Sequence, residues 1–130
     1  MKSVLDLIIR IKNGYMARKA TVTMPVNKMV VAVLKKLVAT GYIAGFEIEE
    51  FENKVKKTAH ITLKYDNGAP ALINVKIVSK PGQRAYVEAS EIPTVLNGLG
   101  IALLSTNAGI LTSFEARKAH VGGELLFTIW

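Results

Sequence analysis

The chain has 130 residues, with 17 Lys and Arg against 10 Asp and Glu, two His and no Cys, giving a formal net charge of +7. That size fits one domain or two small lobes with a real core, and the missing cysteine excludes disulfides, thiolate metal ligands and a cysteine nucleophile. The longest apolar run, Met29 to Leu34, is six residues, against about 20 for a bilayer span; the positive charge makes a polyanion the leading partner, nucleic acid ahead of a membrane.

The start of the chain does not read as a secretory signal, because Asp6 and Arg10 break up its apolar residues. Leu5, Ile8, Ile9 and Met16 recur at near-helical spacing and predict a first helix, with Asn13-Gly14 weakening its end. Thr21 to Met24 alternates as a short strand stopped by Pro25. Asn27 is a good N-cap for a second helix with the stripe Val30, Val33, Leu34, Leu37 and Val38, and Gly41 supplies its stop. Strands are expected over 42–51 and 55–65. In the second, Val55, Lys57, Ala59, Ile61, Leu63 and Tyr65 share one face, and Lys54, Lys56, Thr58, His60, Thr62 and Lys64 share a wet, basic one. Glu47 and Glu49 are placed to pair with it across the hairpin.

Asp66-Asn67-Gly68-Ala69-Pro70 is the strongest turn cluster and predicts a lobe boundary, with domains at 1–66 and 67–130. Beyond it the sequence predicts a strand at 72–78, a turn at Lys80-Pro81-Gly82 and a strand at 84–87. A short helical piece near 91–96 should end at Asn97-Gly98. Strands at 101–106, 110–112 and 124–130 follow, with one helical turn near 113–118. The expected fold is α+β: an N-terminal α/β sandwich and a mostly β C-terminal lobe with a short helix. The charge divides between them. Residues 1–65 hold twelve Lys and Arg against five acids, whereas residues 66–130 hold five of each.

Little in the sequence suits catalysis. His60 and His120 have no carboxylate at metal-ligand spacing. Gly98-Leu99-Gly100 starts like a dinucleotide loop, but Leu103 takes the third glycine position and a strand, not a helix, follows. Ser105 lacks the flanking glycines of a nucleophile elbow, so a serine hydrolase using Ser105 with His120 is only a remote alternative. Glu115 and Glu124 are single carboxylates with charged surface as their default.

Nucleic-acid binding fits better. Arg10, Lys12, Arg18, Lys19, Lys35, Lys36, Lys54, Lys56 and Lys64 can neutralise phosphates, which positions a protein without reading sequence. Ser105-Thr106-Asn107-Ala108-Gly109 offers two hydroxyls, an amide and backbone N–H groups with no charge, suited to base edges and 2′-hydroxyls. Arg84 and Tyr86, two apart on a strand, share a face able to stack or bond on splayed nucleotides. Gly122-Gly123 reads first as a backbone requirement.

Ser105-Thr106-Asn107-Ala108-Gly109-Ile110-Leu111-Thr112, then Glu115-Ala116-Arg117, then Gly122-Gly123-Glu124, resembles the C-terminal signature of the bacterial small-subunit ribosomal protein eight family. Lys80-Pro81-Gly82-Gln83-Arg84-Ala85-Tyr86, Pro93 to Ile101, Thr23-Met24-Pro25, Gly41-Tyr42-Ile43 and Asp6 with Arg10 to Asn13 match in the same order. The resemblance implies a structural protein without cofactor or catalytic activity. It would be a cytoplasmic primary binder of the central domain of 16S rRNA, helping to assemble the platform of the 30S subunit. An irregular RNA stem would be read by the second domain. Carried over, Ser105, Thr106, Asn107 and Gly109 form the reading loop, Arg84, Tyr86 and Glu124 lie beside it, and Gly122 and Gly123 keep the backbone close. Arg10, Lys12, Lys54, Lys56 and Lys80 are the phosphate candidates. Implied partners are ribosomal proteins five and twelve and, as an alternative role, an mRNA mimic of the stem whose translation the protein represses; no membrane or small-molecule substrate is implied. The chain departs from the family's usual serine at Asn107, its frequent basic residue at Ala108, and its frequent cysteine near the C-terminus, where Phe127 stands.

Overall fold

The computed structural model describes residues 2–50 and 57–130, and the chain divides into two compact units, Lys2–Leu72 and Ile73–Trp130. The first unit runs α1 (Lys2–Met16), β1 (Thr21–Pro25), α2 (Lys28–Ala39), β2 (Gly45–Glu50), β3 (Lys57–Thr62) and a hairpin of β4 (Tyr65–Asp66) and β5 (Ala69–Pro70). Its sheet is antiparallel in the order β1-β3-β2. Pro25, which lacks a ladder donor, is thereby on an edge strand, where such a residue is tolerated.

Helix α2 forms for the local reasons its sequence carries. The Asn27 side chain accepts from the Val30 N–H at 3.0 Å, and Val30, Val33, Leu34 and Leu37 are buried, while Val38 at the end of the stripe is exposed. Gly41, at φ +82, lets the chain close on the helix end: Gly41 N–H bonds Val38 O and Tyr42 N–H bonds Leu37 O, a Schellman motif. Helix α1 differs from expectation in phase. Its buried stripe is Val4, Leu7, Ile8, Ile11 and Tyr15, whereas Ile9 and Met16 are exposed. It also runs through Asn13-Gly14, because a side chain at Gly14 would meet Val22 Cγ1 at 2.9 Å; the glycine permits close packing rather than ending the helix.

On β3, Ala59 and Ile61 are buried, followed by Leu63, while Thr62 and Lys64 are exposed. Glu49 bonds His60 at 2.7 Å on the face that carries Thr58 and Thr62, while Glu50 pairs with Lys57 at 3.2 Å on the opposite face. Asn67 and Gly68, at φ +51 and +82, make the two-residue turn that joins β4 to β5. Both strands belong to the first unit, so this turn closes a hairpin and the chain passes to the second unit only after Leu72. Tyr65 Oη donates to Lys19 O at 2.7 Å and Arg18 Nη1 donates to Gly68 O, tying the hairpin to the end of α1.

Tyr15 sits inside this unit, its hydroxyl donating to Tyr42 O at 2.6 Å and accepting from Lys64 N–H at 3.0 Å. Burial pushes its ionisation above the ordinary 10.0, and burial does the same for Tyr42. The unfolded chain releases these protons first as pH rises. Stability from the neutral phenols is therefore complete below pH 10.0 and lost as pH climbs through the raised values. Thermal melting in alkaline buffer is expected to show the midpoint falling above that pH, and less steeply in Tyr15→Phe.

The second unit contains β6 (Val75–Ile77), β7 (Tyr86–Val87), β8 (Ile101–Thr106), β9 (Gly109–Thr112), α3 (Ser113–Ala119) and β10 (Gly123–Ile129). Strand β10 is central: β8 lies on one side, then β9, and both β6 and β7 pair along the other. Leu104, Ala102 and Leu125 pack with Ile92 and with Ala116 of α3. Leu126 is a β-bulge, because Leu125 pairs with Leu104 and Phe127 with Leu103. Its carbonyl accepts from both Val78 N–H and Ser79 N–H.

Two expectations change here. The helical piece near 91–96 is absent: 3-10 turns at Ala89–Glu91 and Leu96–Gly98 flank an extended stretch. Ile92, held at ψ 123, precedes Pro93, whose ring disfavours helical geometry there. Helix α3 is longer than a single turn because Thr112 caps it twice over. Its hydroxyl accepts from Glu115 N–H at 3.2 Å, and the Glu115 carboxylate accepts from Thr112 N–H at 3.0 Å.

Candidate nucleic-acid interface

Three strands bring the expected residues together. Glu124 on β10 is the register partner of Tyr86 on β7 and of Ser105 on β8. Register partners point to the same side of a sheet, so Tyr86, Glu124 and Ser105 form one row. Tyr86 is 71% exposed at one end of it. One residue further along β8 the chain enters the Thr106–Gly109 turn, in which Asn107, Ala108 and Gly109 are all exposed.

The turn builds itself from the Thr106 hydroxyl, which donates to Gly109 O at 2.8 Å and accepts from Ala108 N–H at 3.1 Å. Gly109, at φ +101, takes the backbone angle a side chain would resist. Asn107 is exposed at the tip. Thus Thr106 shapes the turn, whereas Ser105 and Asn107 offer polar groups at its base and tip.

Beside the row stands a compact charged group. The Glu124 side chain is only 11% exposed and Arg84 Nη1 approaches its Oε2 at 3.3 Å. Buried Ser79 donates its hydroxyl to the same oxygen. Neither contact uses Oε1, and no fully buried side-chain oxygen among the described residues lacks a partner, so Oε1 is left without a protein hydrogen bond and is not wholly enclosed. Ser79 has no motif signal of its own; the only trace is a small polar residue where an apolar strand, Val75 to Val78, runs into a turn.

Gly122 and Gly123 serve the same end of the sheet. A Cβ on Gly122 would lie 2.4 Å from Val87 O, and one on Gly123 would lie 2.3 Å from Ser105 O. The backbone they keep close is the protein's own: β7 on one side and β8 on the other.

The phosphate candidates are more dispersed. Arg10 is bound at 3.2 Å to Asp6 and at 3.1 Å to Thr23 O, bracing α1 against β1, with part of its guanidinium exposed. Lys12 is half-buried and Lys80 is exposed in the 80–83 turn. Lys54 and Lys56 lie outside the described residues. Arg117, within the signature, donates to Pro93 O at 2.7 Å and so holds α3 to the extended 92–95 stretch.

The remaining chemical candidates stay apart. His60 is engaged by Glu49, and His120 ends α3 in a left-handed conformation, φ +56. Ser105 and His120 share no hydrogen bond among the described residues, nor do three or more His, Asp or Glu gather there as a metal site. Leu96, Asn97 and Gly98 are consecutive left-handed residues, φ +46, +55 and +94, leading into β8. That turn presents no helix N-terminus to a phosphate. No described helix is long and apolar enough to cross a membrane.

Fold and site together define an α+β protein that gathers an exposed ring, a carboxylate and uncharged polar groups at one end of an antiparallel sheet. The family model described as ribosomal protein S8 matches residues 2–130. Small ribosomal subunit protein uS8 of Lachnoclostridium phytofermentans is 46% identical over 129 residues, covering 98% of this chain and 96% of the relative. The protein of the same name from Dictyoglomus thermophilum is 46% identical over 127 residues, 98% of this chain and 95% of the relative, and that from Azoarcus sp. is 44% identical over 123, 95% and 92%. The chain belongs to the ribosomal protein S8 family. It is a structural ribosomal protein, not an enzyme.

Proposed function

We propose that this protein binds the central domain of 16S rRNA and helps to assemble the platform of the bacterial 30S subunit, in the cytoplasm. The observation that carries the reading is the Tyr86–Glu124–Ser105 row beside the Thr106–Gly109 turn. It offers an exposed ring, a carboxylate oxygen free of protein hydrogen bonds and uncharged hydrogen-bonding groups, with the cation Arg84 held at its edge. Such a surface suits unstacked bases and 2′-hydroxyls of an irregular stem better than a regular A-form duplex, whose deep groove excludes side chains. Ser105, Asn107, Tyr86, Arg84 and Glu124 supply discrimination, Thr106, Gly109, Gly122 and Gly123 supply shape, and Arg10, Lys12, Lys54, Lys56 and Lys80 supply salt-dependent affinity.

Ribosomal proteins five and twelve are the proposed protein neighbours. Because recognition by shape does not depend on which RNA carries the shape, an mRNA mimic of the stem would occupy the same surface and be repressed.

The test is binding of the full chain to a central-domain rRNA fragment and to a regular duplex of equal length, across a salt series. The expected result is a clear preference for the fragment at every salt concentration. Lys80→Ala should weaken both complexes and reduce the salt slope by about one. Equal affinity for the two RNAs would overturn the reading.

A further inference from the structure

We propose that Ser79 is a positioning residue for RNA recognition, fixing Glu124 and, through it, Arg84 in the arrangement the reading surface needs; this rests on the RNA-binding function proposed above. Ser79 is 0% exposed, so it touches no RNA itself. Its backbone N–H donates to the carbonyl of the bulge residue Leu126 at 3.2 Å. That contact is possible because the bulge turns an extra carbonyl of β10 toward the 78–79 segment.

The side chain then joins two places that the turn separates. Ser79 Oγ donates to Glu124 Oε2 and accepts from Ala85 N–H at 3.2 Å. Between these anchors, Lys80 and Gln83 close the turn through paired backbone bonds of 3.0 and 2.9 Å. Ala85 O in turn accepts from Leu125 N–H at 2.8 Å. Both ends of the Lys80–Arg84 segment are thereby fastened to β10, and Arg84 emerges where its guanidinium meets Glu124 Oε2.

The electrostatics explain why this matters. An ionised carboxylate on a phosphate-binding surface repels the ligand unless its charge is held and directed. Ser79 and Arg84 both take Oε2, which leaves Oε1, in the row between Tyr86 and Ser105, free of protein hydrogen bonds. Without the Ser79 hydroxyl, Arg84 alone fixes the carboxylate, and the Ala85 N–H loses its acceptor. The carboxylate then rotates, and Arg84 moves with it.

The experiment measures binding of the full chain to the central-domain rRNA fragment and to the regular duplex for wild type, Ser79→Ala, Glu124→Ala and the double variant. Ser79→Ala is expected to weaken fragment binding roughly tenfold while leaving duplex affinity and the salt slope unchanged, since no phosphate contact is lost. In the Glu124→Ala background the same substitution should change fragment binding less than about twofold, because its effect passes through the carboxylate. Ser79→Cys, close in size and a weaker donor, should retain part of the affinity and carries the comparison if the alanine variant does not fold. A Ser79→Ala protein that binds the fragment like wild type, or that loses fragment and duplex alike, overturns the proposal. So does a full tenfold loss in the Glu124→Ala background. Wild type that fails to prefer the fragment overturns the RNA reading itself and this proposal with it.

Discussion

Gly123→Ala is expected to lower folding stability by about 1–3 kcal/mol and to weaken binding of the rRNA fragment by roughly tenfold or more. The added Cβ would sit 2.3 Å from Ser105 O and 3.0 Å from Thr106 Cγ2. A flexible side chain could step aside, but the carbonyl belongs to β8, whose neighbours Leu103 and Leu104 are fully buried. The strands must therefore separate at the end that carries the Tyr86–Glu124–Ser105 row. Thermal unfolding and fragment binding, measured on the same preparation, check both parts. A variant with wild-type melting would show that the sheet end yields without cost, contrary to the packing described.

Thr106→Val and Asn107→Ala should diverge although the residues are adjacent. Thr106 uses its hydroxyl within the turn, as donor to Gly109 O and acceptor from Ala108 N–H. Valine keeps the shape and removes both bonds, so it is expected to cost about 1 kcal/mol of stability and, by loosening the turn, on the order of 1–3 kcal/mol of RNA binding. Asn107 is exposed at the tip. Its replacement by alanine should leave the melting temperature unchanged and still cost on the order of 1–3 kcal/mol in fragment binding, with the salt slope unaltered. Should both variants change only the slope, the uncharged turn would be a phosphate contact rather than a reader.

The parts of the fold that the sequence announces are those governed by neighbours along the chain. Asn27 and Gly41 mark both ends of α2, and the cap bond and the Schellman closure involve residues at most five apart. Strands β8 and β10 are equally legible as β-rich runs. Where tertiary packing decides, the reading slips. Ile9 and Met16 carry the hydrophobic spacing of α1 but face solvent, because Val22 and the rest of the core select the face bearing Gly14 and Tyr15. The stretch before Pro93 contains the helix formers Ala89 and Glu91, yet the ring disfavours helical geometry at Ile92 and ends the run. At the candidate site, Arg84, Tyr86 and the Ser105–Gly109 segment could be picked out by their chemistry, whereas Ser79 could not. Its partner Glu124 is 45 residues away, and only the folded sheet brings the two together. Thr106 stands out in the sequence as a polar residue, but its bonds within the turn depend on the folded backbone.

The bulge at Leu126 also bears on how this chain can change length. By spending two residues, Leu125 and Leu126, against the single partner Leu104 before Phe127 meets Leu103, β10 shifts its inside-outside alternation by one step. Residues before and after that point obey different frames: Leu125 packs toward α3, and Phe127 lies on the opposite side with Glu124. Deleting Leu126 would restore a regular ladder with Glu124, Leu125 and Phe127 on their present faces, but it would remove the carbonyl that receives both Val78 N–H and Ser79 N–H and so release the 78–79 segment from β10. The hairpin turn at Asn67-Gly68, exposed and local, tolerates a change of length far better. Substitution can thus alter the Tyr86–Glu124–Ser105 row one side chain at a time, whereas a change of length at the bulge costs the anchorage of the segment that carries Ser79.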